Sequence, residues 1–172
     1  MKKSEKRYRE LEGILKKGRV SLISEAIRSL REEEPFEGAI ELLAEHYNVT
    51  DDKMNIIAIE EFFNDIKYLS ARSEIMAEIR KPSYKQKTIS MLVSSCWQSG
   101  LDYSEYVQDI VRVFLEGDYT TAIECMTLIE ESLRYNTRED KDKAIHLVER
   151  SPEAFTHEKD PLSRELISIL AR

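Results

Sequence analysis

The sequence has little of what marks several protein classes. Of its 172 residues only 5 are glycine, 4 are proline and 2 are cysteine. So few turn-forming residues, with no Asn-Gly or Asp-Gly dipeptide, argue against a β-protein built from hairpins. No apolar run approaches the ~18 residues of a membrane span, and residues 1–17 are too charged for a signal peptide. These absences predict a globular, cytoplasmic protein with no membrane segment.

Motifs of catalysis and cofactor binding are also missing. There is no Gly-rich phosphate loop, and the three histidines (His46, His146 and His157) share no metal-ligand spacing with each other or with either cysteine. Cys96 and Cys125 each lie within an apolar helical pattern, which predicts buried free thiols. We therefore expect no catalytic residue, no metal site and no cofactor, and a protein that is not an enzyme.

Charge alternates along the chain, whose net charge is −7. Two acidic segments, 35–78 and 101–133, each carry −7 and flank a basic segment, 79–100, of +4. Nucleic acid is disfavoured as the main partner, because that mode of binding needs a basic stripe along a whole face. A short basic cluster between acidic segments favours charge pairing within the protein over a phosphate site. The cluster consists of Arg80, Lys81, Lys85 and Lys87.

What the sequence does have is helical periodicity almost throughout. Apolar residues recur every three or four positions, as in amphipathic α-helices. The Thr50-Asp51-Asp52 cluster and Asp118 are good N-cap signals, and Gly18, Gly100 and Gly117 are good stops. The predicted helices cover residues 4–17, 19–33, 36–47, 51–68, about 70–79, 82–98, 102–115, 118–135 and 138–150, with a last helix opening at Asp160-Pro161. In the 51–68 helix the predicted buried stripe is Ala58, Ile59, Phe62, Phe63, Ile66 and Leu69.

These helices are predicted to come in pairs. Long helices begin near residues 51, 83 and 119, and each follows a shorter one. A helix–turn–helix unit repeating every 32 to 36 residues is typical of α-solenoids. The spacing also suits tetratricopeptide repeats, but their Trp, Leu-Gly and Tyr signature is absent. A non-repeating helical bundle remains the structural alternative.

The repeat pattern is clearest over residues 81–131. A helix with small residues every few positions ends at Gly100. The next helix ends at Gly117, and Asp118 begins the one after it. This pattern resembles the HEAT and armadillo families, best over residues 35–134. The units are shorter than the ~40–47 residues usual for HEAT repeats. The resemblance implies an all-α fold, a right-handed α–α superhelix of about four helix pairs.

Domain organisation follows from the same pattern. We expect a single helical-repeat domain over residues 1–172. Its repeat core would cover residues 35–134. A capping helix pair over residues 1–34 and capping helices over 135–172 would close the two ends, because terminal repeats need a polar outer face.

The resemblance implies a binding face, because the second helices of HEAT-like pairs line a concave surface. Helical phase at about 100° per residue predicts which side chains point away from the core. Trp97 is the foremost anchor candidate, since Trp is favoured in interfaces, with core packing as the alternative. Glu124 and Glu131 lie two turns apart and suit a basic peptide, with an ordinary solvated face as the alternative. The predicted partner-binding residues are Glu60, Asn64, Gln86, Ser90, Ser94, Trp97, Thr120, Glu124, Thr127 and Glu131.

The functional hypothesis is a non-enzymatic scaffold that binds a partner protein or peptide, basic at the contact, on this concave face. The alternative is a helical protein that associates with a second copy of itself to form a homodimer. A remoter alternative is a DNA glycosylase of HEAT-like fold. Glu60, Glu124 and Glu131 disfavour that enzyme, because carboxylates on the binding face would repel phosphate.

Overall fold

The computed structural model describes residues 3–172, and this part of the chain is helical with no β-strand. Met1 and Lys2, the first residues of the predicted N-terminal cap, lie outside the described residues. Short 3-10 turns precede α7, follow α8 and precede α10 in the helix order that follows. The helices are α1 (Lys3–Lys17), α2 (Val20–Leu30), α3 (Ala39–Val49), α4 (Lys53–Asn64), α5 (Ala71–Ile79), α6 (Gln86–Ser99), α7 (Val107–Glu116), α8 (Tyr119–Ser132), α9 (Arg138–Arg150) and α10 (Asp160–Ala171).

Several helices start where local side-chain signals place them. The side chains of Asp52 and Asp118 accept the backbone N–H three residues on, at 3.0 Å and 2.8 Å. Thr137 and Asp140 form a reciprocal capping box at the start of α9. These bonds satisfy N–H groups that the first turn of a helix leaves unpaired. The two predicted N-cap signals are confirmed, and Asp52 is the member of its cluster that caps α4.

Boundaries that differ clearly from the prediction include the start of α7, at Val107 rather than at 102, after a 3-10 turn, and the end of α4, at Asn64 rather than near residue 68. Beyond that end, Lys67 donates to the backbone carbonyl of Ser99 at 2.6 Å and so helps to satisfy the C-terminus of α6. Leu69, predicted to be buried, is 61% exposed. That prediction is wrong because the helical phase that placed Leu69 in the core stops five residues before it.

The chain divides into two compact units, one ending at Ser99 and the other covering Gly100–Arg172. The boundary falls inside the predicted repeat core. The single domain over residues 1–172 therefore stays a prediction, and each unit is described by itself.

Unit 1 contains three helix pairs: α1 with α2, α3 with α4, and α5 with α6. The first helices contact one another in order, α1 with α3 and α3 with α5. The second helices do the same, α2 with α4 and α4 with α6. The unit is thus two layers of helices with an apolar core between them. Large, fully buried members of that core are Ile27, Ile40, Leu43, Ile59, Phe62, Phe63, Ile75, Met76 and Leu92.

Unit 2 repeats the arrangement with two pairs, α7 with α8 and α9 with α10. Here α7 contacts α9, and α8 contacts α10. The Lys159 ammonium donates to the carbonyls of Leu115 and Gly117, both at 2.6 Å, at the end of α7. The described residues therefore form five helix pairs, against about four expected.

Candidate functional site

The layer of second helices in unit 1 is fixed by polar contacts between α2 and α4. The Ser24 hydroxyl donates to the Asn55 side-chain oxygen at 2.9 Å, and both residues are buried. At the other end of the two helices, Arg31 pairs with Glu61 at 2.8 Å and with Asp65. These contacts set the rotation of α4, and therefore which of its side chains face outward.

On α4 the two predicted binding residues, Glu60 and Asn64, are half-buried. Glu60 accepts a hydrogen bond from the Tyr47 hydroxyl of α3 at 2.8 Å. Burial, and then this bond to a carboxylate, raise the pKa of Tyr47. Glu60 therefore links the two helices of its pair as well as reaching the surface.

The outward face of α4 also carries two large apolar side chains. Met54 is 49% exposed and Ile57 is 51% exposed, one helical turn apart. The sequence placed Ile57 beside the outward face but missed Met54. The signal was present in the helical phase, since Met54 lies opposite the buried Ile59 and Phe63 stripe.

On α6 the predicted residues share the outward face. Gln86 is exposed, while Ser90, Ser94 and Trp97 are half-buried. Gln98, one turn beyond Ser94, donates to the Ser94 hydroxyl at 2.9 Å. Trp97 as a whole residue is neither buried nor fully exposed, and its role as a binding anchor stays a prediction. Since α4 contacts α6, the predicted residues of these two helices lie on one layer of unit 1.

The other four predicted residues lie on α8, in unit 2. Thr120 and Glu131 are exposed, and Glu124 and Thr127 are half-buried. The Thr127 hydroxyl donates to the carbonyl of Ile123 in the preceding turn at 3.2 Å. Of the ten predicted residues none is buried, which agrees with the helical faces assigned from the sequence. Whether they bind a partner stays a prediction.

Two members of the basic cluster, Lys81 and Lys87, pair with carboxylates of the chain, which is the kind of pairing predicted for the cluster. Lys81 lies 2.8 Å from Glu41 and 2.9 Å from Glu78, whose side chain is buried. The Tyr84 hydroxyl also donates to Glu78, at 2.5 Å. Lys87 lies 3.8 Å from Asp51, a wider and more exposed contact. The cluster thus ties α6 and the preceding turn to the α3–α4 pair.

A groove in the layer of first helices was not predicted. Its volume is about 590 Å³, and it lies between the C-terminal halves of α1 and α3 and the turn before α6. Leu15, Leu42 and Tyr84 are its buried apolar members, and Val49 is 69% exposed at the end of α3. The remaining lining residues are Glu12, Lys16, Glu45, His46, Asn48 and Ser83.

His46 is the unusual side chain of this groove. Its Nε2 atom is buried and has no hydrogen-bond partner. Burial lowers the pKa of His46 below its ordinary value, so the imidazole is neutral near pH 7. Sequence reasoning considered His46 only as a metal ligand. Across residues 3–172 no group of three or more metal-ligating side chains is assembled.

Comparisons with known proteins give no assignment: no protein-family model, curated protein or solved structure matches the chain. Among the described residues, no helix combines the length and apolar character needed to cross a lipid bilayer.

Proposed function

We propose that this protein is a non-enzymatic scaffold that binds a partner protein or peptide on its layer of second helices. In this proposal the helix pairs form a HEAT- or armadillo-like right-handed superhelix, and the second helices line its concave side. The observation that carries the proposal is the outward face of α4, where Met54 and Ile57 are each about half exposed beside α6.

Large apolar side chains grouped on a surface favour a binding role, because leaving them in water is unfavourable. Completing the burial of a side chain of this size contributes about 1 kcal/mol or more. Trp97, half-buried on the neighbouring helix, adds the residue type most enriched among interface anchors. The small side chains of Ser90 and Ser94 leave space beside it for a partner group.

Electrostatics support a partner that is basic where it contacts unit 2. The outward face of α8 carries Glu124 and Glu131, with Glu130 exposed beside them. Opposite charge on the partner would raise the association rate and suppress wrong partners more than it would raise affinity. We therefore expect the apolar residues of unit 1 to determine affinity, and α8 to determine salt dependence.

The experiment is an affinity capture followed by titration of the captured partner. An Ile57→Lys variant is compared with Leu69→Lys, because Leu69 is at least as exposed but lies between α4 and α5. The partner should be retained by the wild type and by Leu69→Lys. Ile57→Lys should weaken the measured affinity about 30-fold, as expected for an interface anchor.

Charge is tested with Glu131→Lys against Glu116→Lys, an exposed glutamate at the end of α7. The first should weaken binding at low salt and flatten its salt dependence, and the second should not. Trp97 is the protein's single tryptophan, so its emission reports binding directly. If partner capture is equal in Ile57→Lys and Leu69→Lys, the proposed face is wrong.

Self-association is the second candidate, and one observation favours it. Leu22 is 47% exposed on α2, which belongs to the first helix pair. Light scattering of the purified chain should give the monomer mass of 20.1 kDa if the scaffold proposal is correct. A dimer that Leu22→Lys dissociates would support self-association in its place.

A further inference from the structure

We propose that the groove between α1, α3 and the turn before α6 binds a small organic cation, an amine attached to an apolar body. The groove belongs to the layer of first helices, so this inference does not depend on the partner-binding face. It combines an apolar floor with carboxylates at the rim.

Size and floor favour a small molecule. A volume of about 590 Å³ lies within the roughly 300–1,000 Å³ of ligand sites in proteins. Leu15, Leu42 and Tyr84 supply buried apolar surface. Val49 extends the floor outward. Its side chain is 69% exposed, and a bound apolar body would cover it.

Charge favours a cation. Lys16 is engaged with Glu12 at 2.6 Å and is also attracted by Glu45, so the two carboxylates and one ammonium of the lining leave one net negative charge. Glu45 is exposed, and within residues 3–172 no basic side chain forms a salt bridge with it. The groove also meets the last turn of α3, where the helix dipole is negative. An anionic ligand would face both Glu45 and this helix end.

His46 belongs to the lining and carries an unpaired ring nitrogen. Its buried Nε2 has no partner within the described chain, and such atoms are rare in folded proteins because their desolvation is not compensated. A neutral imidazole nitrogen can accept a hydrogen bond from an ammonium group. Because that nitrogen is buried, an amine in the groove reaches it only if neighbouring side chains move. Glu45, the exposed carboxylate beside it on α3, is the polar partner that the amine meets at the rim.

The test uses three probes with the same phenylethyl body: phenethylamine, 2-phenylethanol and 3-phenylpropionate. Each is titrated into the full-length chain and followed by two-dimensional NMR of the backbone amides and of the His46 ring nitrogens. Phenethylamine should give saturable shifts at Leu42, His46 and Val49. It should bind at least about threefold more tightly than the alcohol, the value of one exposed ion pair, and the propionate should bind most weakly.

Two exposed substitutions assign the contacts without touching the core. Glu45→Gln should remove the preference for amine over alcohol, while Glu25→Gln, an exposed glutamate on α2, should leave it unchanged. Val49→Thr should weaken all three probes alike, whereas the matched Val20→Thr at the start of α2 should weaken none.

Three outcomes would overturn the proposal. Equal binding of amine, alcohol and propionate would show that charge plays no part. Shifts confined to residues outside the groove would place the amine elsewhere. Binding of N-acetyl-Phe-Lys-amide in the groove, with none of phenethylamine, would make the site one for a peptide lysine rather than for a small molecule.

Discussion

Ser24 and Asn55 are buried polar residues whose side chains bond only because α2 and α4 lie side by side. Removing one partner leaves the other desolvated and unbonded. We therefore expect Ser24→Ala to lower the free energy of unfolding by about 1–3 kcal/mol. Urea denaturation followed by circular dichroism measures this change.

The matched control is a double variant, Ser24→Ala with Asn55→Leu. Because both polar groups are then gone, no unpaired oxygen remains. The loss of unfolding free energy in the double variant should therefore differ clearly from the sum of the losses in Ser24→Ala and Asn55→Leu alone. Additive losses would show that the hydrogen bond does not couple the two helices.

Glu74 gives a prediction about pH. Burial, and then the charges of Glu37, Glu78 and Glu41, raise its pKa above the ordinary value. An acid with a raised folded-state pKa opposes folding when it is ionised, so this cost is present above the folded-state pKa and disappears as the pH falls through it. We expect Glu74→Gln to stabilise the protein at pH 7 and to have a smaller effect at pH 4.

The measurement is urea denaturation of the two proteins at both pH values. Glu25→Gln serves as the control, since Glu25 is an exposed carboxylate on α2. A Glu74→Gln variant less stable than the wild type at pH 7 would mean that the carboxylate is not destabilising in the folded protein.

Among the elements, the start of α3 depends on a glycine. Gly38 has φ +87°, and a Cβ there would lie 2.7 Å from the Tyr8 ring of α1. Gly100 has φ +72°, but nothing lies within 4 Å of its Cβ position. The two positions therefore separate backbone strain from steric contact.

We expect Gly100→Ala to cost about 1–2 kcal/mol, the penalty of the left-handed conformation alone. Gly38→Ala should cost about 1–3 kcal/mol more, because Tyr8 must also move. Thermal and urea denaturation of both variants provide the comparison. Equal losses would show that α1 yields to the added methyl group without penalty.

The end of α7 depends on a lysine that precedes α10. Lys159 donates to two carbonyls at the end of α7, and its burial lowers the pKa of its ammonium. Lys159→Met keeps the aliphatic chain but leaves those carbonyls without their partner. We expect a loss of about 1–3 kcal/mol, against little change for the exposed Lys143→Met.

A denaturation profile in which Lys159→Met matches Lys143→Met would show that water replaces the ammonium without cost.

Lys67 makes the same kind of contact to Ser99 in unit 1. Such long-range caps are absent from any local pattern. The local pattern therefore predicts Lys67 inside a helix over residues 51–68, whereas the helix ends at Asn64.

Helix positions were predictable because they depend on near neighbours. Caps such as Asp52 and Asp118, and apolar spacing of three to four residues, are local properties of the sequence. The pairing of helices followed from the short turns between them. The predicted inward-facing side chains Phe62 and Phe63 are buried within α4, and Ile66 is buried just beyond its end. Leu69, five residues past that end, is exposed.

At the scale of the whole molecule, local sequence patterns no longer predict which side chains come together. The groove is lined from three stretches of sequence, residues 12–16, 42–49 and 83–84, and no motif connects them. The unpaired state of the His46 nitrogen is likewise a property of the packed structure. The outward faces were predictable because each belongs to one helix. The neighbouring positions of α4 and α6 in unit 1, in contrast, depend on packing between helices.

The division into two compact units leads to the last prediction. Unit 1 has a core of its own between two helical layers, and unit 2 has a smaller one that includes Val111, Phe114 and Ile129. We expect a fragment of residues 1–100, which keeps the Gly100 stop of α6, to be helical and to unfold cooperatively. A fragment of residues 101–172 should also be helical but less stable, because smaller chains bury a smaller fraction of their surface.

Circular dichroism and amide NMR of the two fragments, compared with the full chain, provide the measurement. If each unit is a folding unit, the amide signals of core residues in the fragment 1–100 will coincide with those of the intact protein. Loss of cooperative unfolding in that fragment would show that its core needs residues 101–172. That outcome would favour one continuous repeat domain over the whole chain, because stacked repeats are stabilised by their neighbours.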